Sequence, residues 1–569
     1  MLTLSIAMVL AGAAPGATYD YRGTGGSLNV SGNWYDVTSA TKLDGGGTPT
    51  AALPSSADTA LVRNGTTVTV NNSLSAWKLY IGGYEYLTGG TVLPVIPKPT
   101  TTAYIVDGAQ VTLGSDGAFK VGNWYGGTCY QTGGTVNGLL GNTFFYVADH
   151  VGSDGVTPVE GLYSMSGGRL EMKYNSRIGC LGGHGVFTQT GGSAYFGRGG
   201  SEDAAGLLVG ERNGVDASGT IVGGGEYNLS GTAFMNAGRL YVGTAGSGAT
   251  NPGYAGSGVF NQSGGQVEVG INLGGFTYGS LRVGYHEGGT GAYNLSGGTL
   301  SIFNDEGSSA YIGHEGQGLL KQTGGLLNVP HGIRMGSRIA GSEVTGMHGE
   351  LQLLGGTANL DAIFMGSSTE GGTVTGTGKT MLSQSAVVTL AGGMHMQSGG
   401  SALEVLLGST NPFRFNTSGV SNSLAGDLIV TLIGGYVPTA SAEWKLVTNG
   451  LYSGDFENIS TDFDTEVRGS DLYLKYLGSA PQPHPGDANN DGYVNVGDLG
   501  ILAGNWGQSP RTWAQGNFTT PDTVVDVGDL GVLAGNWGWT APPSLPAPEP
   551  ASLMLLSLGG LVLLRRKRK

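Results

Sequence analysis

The chain has 569 residues, room for several domains. Only 12% of it is charged and its net charge is −14, which argues against a phosphate-binding basic surface and so against a nucleic-acid partner. Its two cysteines, Cys129 and Cys180, are too few for a disulfide framework or a cysteine zinc site, leaving one bond between neighbouring coils or two unpaired core residues.

Leu2 to Ala17 is an apolar run of small residues with Ala11-Gly12-Ala13 as a cleavage site, so residues 1–17 read as a secretory signal peptide, although a basic n-region is missing. Residues 18–78 read as an N-terminal β capping region, with Gly32-Asn33-Trp34-Tyr35-Asp36, the stretch Leu53 to Val62 and Val68-Thr69-Val70. This pattern resembles the start of autotransporter-type β-helix passenger repeats, a resemblance that implies fold more than function.

Residues 79–398 are organised by two alternating phrases. One runs aromatic-x-Gln/Leu-Ser/Thr-Gly-Gly-x-apolar, as in Phe187 to Gly192, Phe260 to Val267 and Tyr293 to Leu300, with Tyr130-Gln131-Thr132-Gly133-Gly134 read as a further copy. The other is apolar-x-apolar-Gly, as in Leu240-Tyr241-Val242-Gly243 and Leu281-Arg282-Val283-Gly284. Alternating apolar residues over short stretches read as half-buried strands, and Gly-Gly pairs supply turns with positive φ. Successive Gly-Gly pairs lie 24 to 40 residues apart, and a unit of this size cannot bury its own apolar face, so units must stack. The expected fold is mainly β: a right-handed parallel β-helix, closed by a C-terminal β cap. A β-propeller is the competitor, but its blades need about 40 residues or more.

Beyond Gly399 the Gly-Gly phrases stop, and residues 399–478 read as an antiparallel cap over the solenoid's open edge. Residues 479–485, Ser-Ala-Pro-Gln-Pro-His-Pro, read as a stiff linker. Across the repeats the acids are scattered singly, without the paired carboxylates that glycoside cleavage needs. Glu202-Asp203 and Asp305-Glu306 sit in glycine/serine-rich loops. His286-Glu287 and His314-Glu315 each follow an apolar-x-apolar-Gly strand, with Glu211 beside the equivalent Gly210; they read as polar turns or as a metal or general-base site. No catalytic residues are assigned. The abundant tyrosines are suited to packing turns or to stacking on sugar rings.

Residues 486–540 form a separate module, with an EF-hand-like pair of loop-helix units. Val496 to Gly507 returns, with one Ile/Val change, as Val527 to Gly538. From Asp487, oxygen-bearing side chains fall at loop positions 1, 3, 5, 9 and 12 (Asp487, Asn489, Asp491, Asn495, Asp498), with Gly492 at position 6, the spacing of a calcium loop. The module resembles a type I dockerin. That resemblance implies Ca2+ as cofactor, the Tyr493 carbonyl as a further ligand and a cohesin-like docking partner. It also implies a docking surface on Leu499, Leu502 and Trp506 with their counterparts Leu530, Leu533 and Trp537. The second loop is a weaker site: Asp522, Asp526 and Asp529 align with positions 5, 9 and 12 if Phe518 is position 1, whereas Asn517 at position 1 needs one inserted residue.

Residues 541–569 are Pro-rich, then apolar from Ala551 to Leu564, then basic. Pro548-Glu549-Pro550 in this setting resembles the PEP-CTERM sorting signal, implying export, transient membrane retention and an exosortase-type processing enzyme. The preferred reading is an exported, non-enzymatic structural or adhesion protein of the cell surface or extracellular matrix. The alternative is a glycoside hydrolase, lyase or sugar-binding component of a polysaccharide-degrading system.

Overall fold

The computed structural model describes residues 17–539 apart from 23–25, 29–32, 37–47, 50–51, 63–64, 83–99, 124, 150–157, 198–205, 212–213, 216–220, 246–255, 271–278, 304–309, 338–345, 369–373, 479–483, 490 and 520–522. The expected signal peptide (save Ala17), the tail from 541 and most of the linker lie outside the described residues.

The chain is a parallel β-helix. Strands of successive coils pair in parallel and stack into three faces. Face A carries the strand that opens each Gly-Gly phrase, such as His184–Gln189 and Gly224–Leu229. Face B carries the strand after the glycines, such as Ser193–Phe196 and Phe234–Ala237. Face C carries the apolar-x-apolar-Gly strand, such as Leu207–Glu211 and Leu240–Thr244. The glycine of face C is required by its surroundings: Gly243 has φ 67°, and a Cβ there would lie 1.8 Å from the carbonyl oxygen of Thr290.

Alternate side chains of every face point inward into one continuous core. On face A the inward column stacks Tyr163, Phe187, Tyr227, Phe260 and Tyr293, with ring centroids 4.9, 4.6, 4.7 and 4.7 Å apart. Two residues along, Met165, Gln189, Leu229, Gln262 and Leu295 form a second inward column. Buried tyrosines alternate with buried glutamines in a fixed pattern: the Tyr227 hydroxyl donates to Gln189 Oε1 at 2.6 Å, and Tyr293 to Gln262 Oε1 at 2.6 Å. The glutamine amide in turn donates to backbone carbonyls: Gln189 Nε2 to Gly192 at 3.2 Å and to Phe234 at 3.0 Å. A buried hydroxyl needs an acceptor and a buried amide needs both kinds of partner, so each half completes the other. Burial alone pushes the Tyr227 hydroxyl well above the ordinary tyrosine pKa.

One phrase is offset by one position from its neighbours. Cys129, not Tyr130, is in register with Tyr163, and Tyr130 points outward to stack on Tyr104 at 5.2 Å. In this copy the aromatic directly precedes Gln131, and a one-residue shift along a strand exchanges its two faces. Cys129 and Cys180 are both buried and not joined by a disulfide, the first on face A and the second on face C.

The coils extend beyond the bounds that the phrases suggest. Thr18–Tyr21 already pairs in parallel with Thr59–Val62, and parallel pairing continues to Asn458–Ile459. Only Glu443–Val447, Phe463–Arg468 and Asp471–Tyr476 form an antiparallel cap sheet. The coils persist after the glycine pairs end because Leu403, Val405 and Leu407 keep the inward alternation. Cap strand Glu443–Val447 sets Trp444 into the solenoid core, against Tyr436 and Phe463. The module beyond the linker has its own core of Ala488, Val494, Leu502, Phe518, Val525 and Leu533.

Candidate calcium and docking module

Two nine-residue helices, α1 (Val496–Gly504) and α2 (Val527–Gly535), each begin at a capping box. Asn495 Oδ1 accepts from the Gly497 amide at 2.6 Å, and Asp498 Oδ2 accepts from the Asn495 amide at 2.9 Å. Asp526 and Asp529 repeat the arrangement, at 2.7 and 2.8 Å. The last acid of each loop is fully buried, and backbone amides satisfy its charge. Asp498 Oδ1 accepts from Ala488 N at 2.8 Å and Asn489 N at 3.3 Å; Asp529 Oδ1 accepts from Phe518 N at 2.6 Å and Thr519 N at 2.9 Å.

That correspondence fixes the alignment of the second loop. Phe518 stands where Ala488 stands and Thr519 where Asn489 stands, so Asn517 occupies the place of Asp487 and the loop carries one extra residue. Both first-position residues are buried, Asp487 at 2% and Asn517 at 6% exposure. Phe518 is therefore a core residue and not the start of the loop. Asp522 lies outside the described residues. The two units also exchange backbone bonds: Gly538 N donates to Val494 O at 2.9 Å and Gly507 N to Val525 O at 2.7 Å.

In the first loop the side-chain oxygens hold backbone amides. Asp487 accepts from Asp491 N at 3.2 Å and Gly492 N at 3.0 Å, with Gly492 at φ 83°. Asp491 Oδ1 accepts from Tyr493 N at 2.9 Å, and Asn489 Nδ2 donates to Asp491 Oδ2 at 2.8 Å. The donor set is all oxygen and suits a hard cation such as calcium. Among the described residues no three His, Cys, Asp or Glu side chains come together as a metal-holding group; two of the loop's five oxygen side chains belong to asparagines, and its carboxylates face amides.

The expected docking residues divide. Leu502 and Leu533 are 1% exposed in the module core, and Leu499 and Leu530 pack against that core partly buried. Leu502 lies one helical turn after buried Asp498 and so shares its face, which removes it and its counterpart from any contact surface. Trp506 and Trp537 are exposed. The sequence reading missed Val496 and Val527, 74% and 73% exposed at the helix starts. It also missed that Gly500, Gly504, Gly531 and Gly535 face open space. The signal was present in the second copy, which repeats all of these residues.

Within the solenoid, the histidine-acid pairing crosses coils: His286 Nδ1 meets Glu315 Oε2 at 3.3 Å, and Glu287 is exposed. Burial depresses the His286 pKa, against the raising effect of Glu315. Both His286 (φ 63°) and Glu315 (φ 66°) hold left-handed backbone, and His314 stacks on Tyr311 at 4.4 Å. Glu211 pairs with Arg177. Glu202-Asp203 and Asp305-Glu306 lie outside the described residues. A groove of about 330 Å³ over the last face A coils is lined by His348, Lys379, Asp427 and Glu457. Its acids are engaged: Asp427 accepts from Asn458 at 2.7 Å and Glu457 from Gly399 N at 3.1 Å.

These features define a β-helical rod followed by a compact loop-helix module. Residues 546–569 match the PEP-CTERM protein-sorting motif. The match supports an exported surface protein, held transiently in the membrane by its C-terminus and processed there by an exosortase-type enzyme. No curated protein and no solved structure matches the chain.

Proposed function

We propose that the protein is a structural and adhesion rod of the cell surface or extracellular matrix, which docks a cohesin-like partner domain through its C-terminal module. Calcium is the natural ligand of the first loop, held by Asp487, Asn489, Asp491, Asn495 and Asp498 with the carbonyl of Tyr493; it would stiffen the turn that aims α1. The observation that carries the reading is the duplicated outward surface, Val496 with Trp506 and Val527 with Trp537, on helices whose outer glycines leave backbone open to a partner. Exposed apolar residues on a module with its own completed core mark a contact surface.

Calorimetric unfolding of the full chain with and without calcium tests it. A calcium-dependent rise in the module's melting temperature is expected, and Asp487→Ala should abolish it. An unchanged rise in that variant removes Asp487 as a ligand, and no rise in the wild type removes calcium from the reading. Release of reducing ends from a polysaccharide panel would overturn the non-enzymatic assignment.

A further inference from the structure

One outward column of face C alternates rings and cations. Its first part is, in register, Tyr80, Lys120, Tyr146 and Arg177. After Leu208 come Tyr241, Arg282, Tyr311, Arg334 and Phe364. The two parts differ in charge. Lys120 pairs with Asp149 at 2.6 Å, and Arg177 pairs with Glu211. In both cases the acid lies three residues beyond the cation's partner on the next coil (Tyr146 then Asp149; Leu208 then Glu211). The same step from Arg282 leads through Tyr311 to His314, and from Arg334 through Phe364 to Ser367. The acid is replaced both times. Among the described residues Arg282 and Arg334 form no ion pair.

Their neighbours are rings. The Arg282 guanidinium carbon lies 5.3 Å from Tyr241, 4.3 Å from Tyr285 and 5.5 Å from Tyr311; that of Arg334 lies 4.3 Å from Phe364. Arg282 Nε is shielded from solvent without a hydrogen-bond partner. Ring contacts hold a guanidinium flat; Arg282 also hydrogen-bonds the Tyr285 hydroxyl, and its remaining donors suit the oxygens of an anion. Adjacent strands lie about 4.8 Å apart, so Arg282 and Arg334, two coils apart, stand about 9.6 Å apart along the rod. That is close to the repeat of two sugars in an extended chain.

We propose that the face C strip from Tyr241 to Phe364 binds an anionic polysaccharide running along the rod, its acid groups on Arg282 and Arg334, whose guanidinium groups the flanking rings hold in place. This site is separate from the calcium module and does not depend on it.

Native gels of the full chain cast with polygalacturonate, chondroitin sulfate or neutral dextran test the proposal. Retardation is expected in one or both anionic gels and not in dextran, and the two anionic gels distinguish carboxylate from sulfate. Arg282→Gln with Arg334→Gln should weaken binding at least tenfold, while Lys321→Gln on face A leaves it unchanged. His314→Glu places an acid beside Arg282 in the position that Glu211 holds beside Arg177 and should weaken binding too, with both arginines still present; it stands in for the double variant should that variant fail to fold by circular dichroism. No retardation in either anionic gel, equal retardation in dextran, retention of binding by folded variants, or loss of binding on calcium chelation would each overturn it.

Discussion

The hydroxyl of Tyr227 and the side-chain oxygen of Gln189 meet at 2.6 Å across two coils, both fully buried. Neither group has access to water, so each depends on the other. Gln189→Leu should destabilise the rod by about 1–3 kcal/mol, because it strands the tyrosine hydroxyl. Tyr227→Phe should cost less, since Gln189 keeps its bonds to the carbonyls. The double variant should be more stable than the sum of the two predicts, a coupling that denaturant unfolding of all four proteins measures. Strict additivity would mean that the bond contributes nothing.

Gly243→Ala should destabilise by about 2 kcal/mol or more, since it combines a positive φ with a clash against fixed backbone. Hydrogen exchange should then show the loss concentrated in coils containing Gly243 and Thr290. An exchange pattern matching the wild type would contradict the close approach.

Gly500→Ala and Gly531→Ala should act in the opposite direction. Each helix is expected to gain about 0.8–1 kcal/mol, because alanine is the better helix former and its Cβ meets nothing. If the outer helix faces are the docking surface, the same variants should lower affinity for a cohesin-like domain. Stabilisation with unchanged affinity, measured by calorimetry and titration, would move the docking surface elsewhere.

Asn517→Asp places a carboxylate where Asp487 stands in the first unit. It should raise calcium stoichiometry or second-site affinity in a titration of the full chain. No change would mean that the extra residue of the second loop, and not its missing charge, prevents binding.

The cap carries an exposed ionic network: Arg468 bridges Glu443 and Glu466, each at 2.7 Å, and Lys475 joins Glu466 at 3.0 Å. Hydrogen bonds from Arg468 and then Lys475 hold the Glu466 carboxyl down to about 2, from an ordinary 4.5. A carboxyl lowered by folding stabilises the folded state above its unfolded pKa and loses that contribution as the pH falls toward the folded one. The melting temperature of the cap should therefore fall between about pH 4.5 and pH 2 more in the wild type than in Glu466→Gln. Solvent screening at this partly exposed site keeps the effect small, and parallel pH profiles for the two proteins would dismiss it.

Much of the rod was legible because its period is carried by glycines with positive φ and by inward aromatics, both local signals. The signals weakened where a position changed partner. Tyr130 opens its copy of the phrase as the aromatic, although parity assigns the core to Cys129. The coils beyond Gly399 lack the glycine pair and kept only their alternation. In the module, the ligand spacing of the first loop could be read directly. The place of Asn517 could not, because only the amides held by Asp529 distinguish a displaced loop from a shifted one. The dockerin resemblance implies a contact role for Leu502 and Leu533, whereas the helical turn they share with Asp498 and Asp529 turns them inward. The bare arginines of face C were invisible in sequence, since the missing acids lie a full coil away.

The alternation of glutamine and tyrosine coils limits how such a rod changes length. Loss or gain of a single coil would bring two glutamine rows, or two tyrosine rows, face to face, each lacking its complement. A pair of coils can be copied or deleted without that mismatch, so the heritable unit of growth is two turns. The pattern ends where Leu320 and Gln322 are in register with Leu351 and Leu353 and no tyrosine meets the glutamine, so beyond that point this mismatch no longer limits a one-turn change.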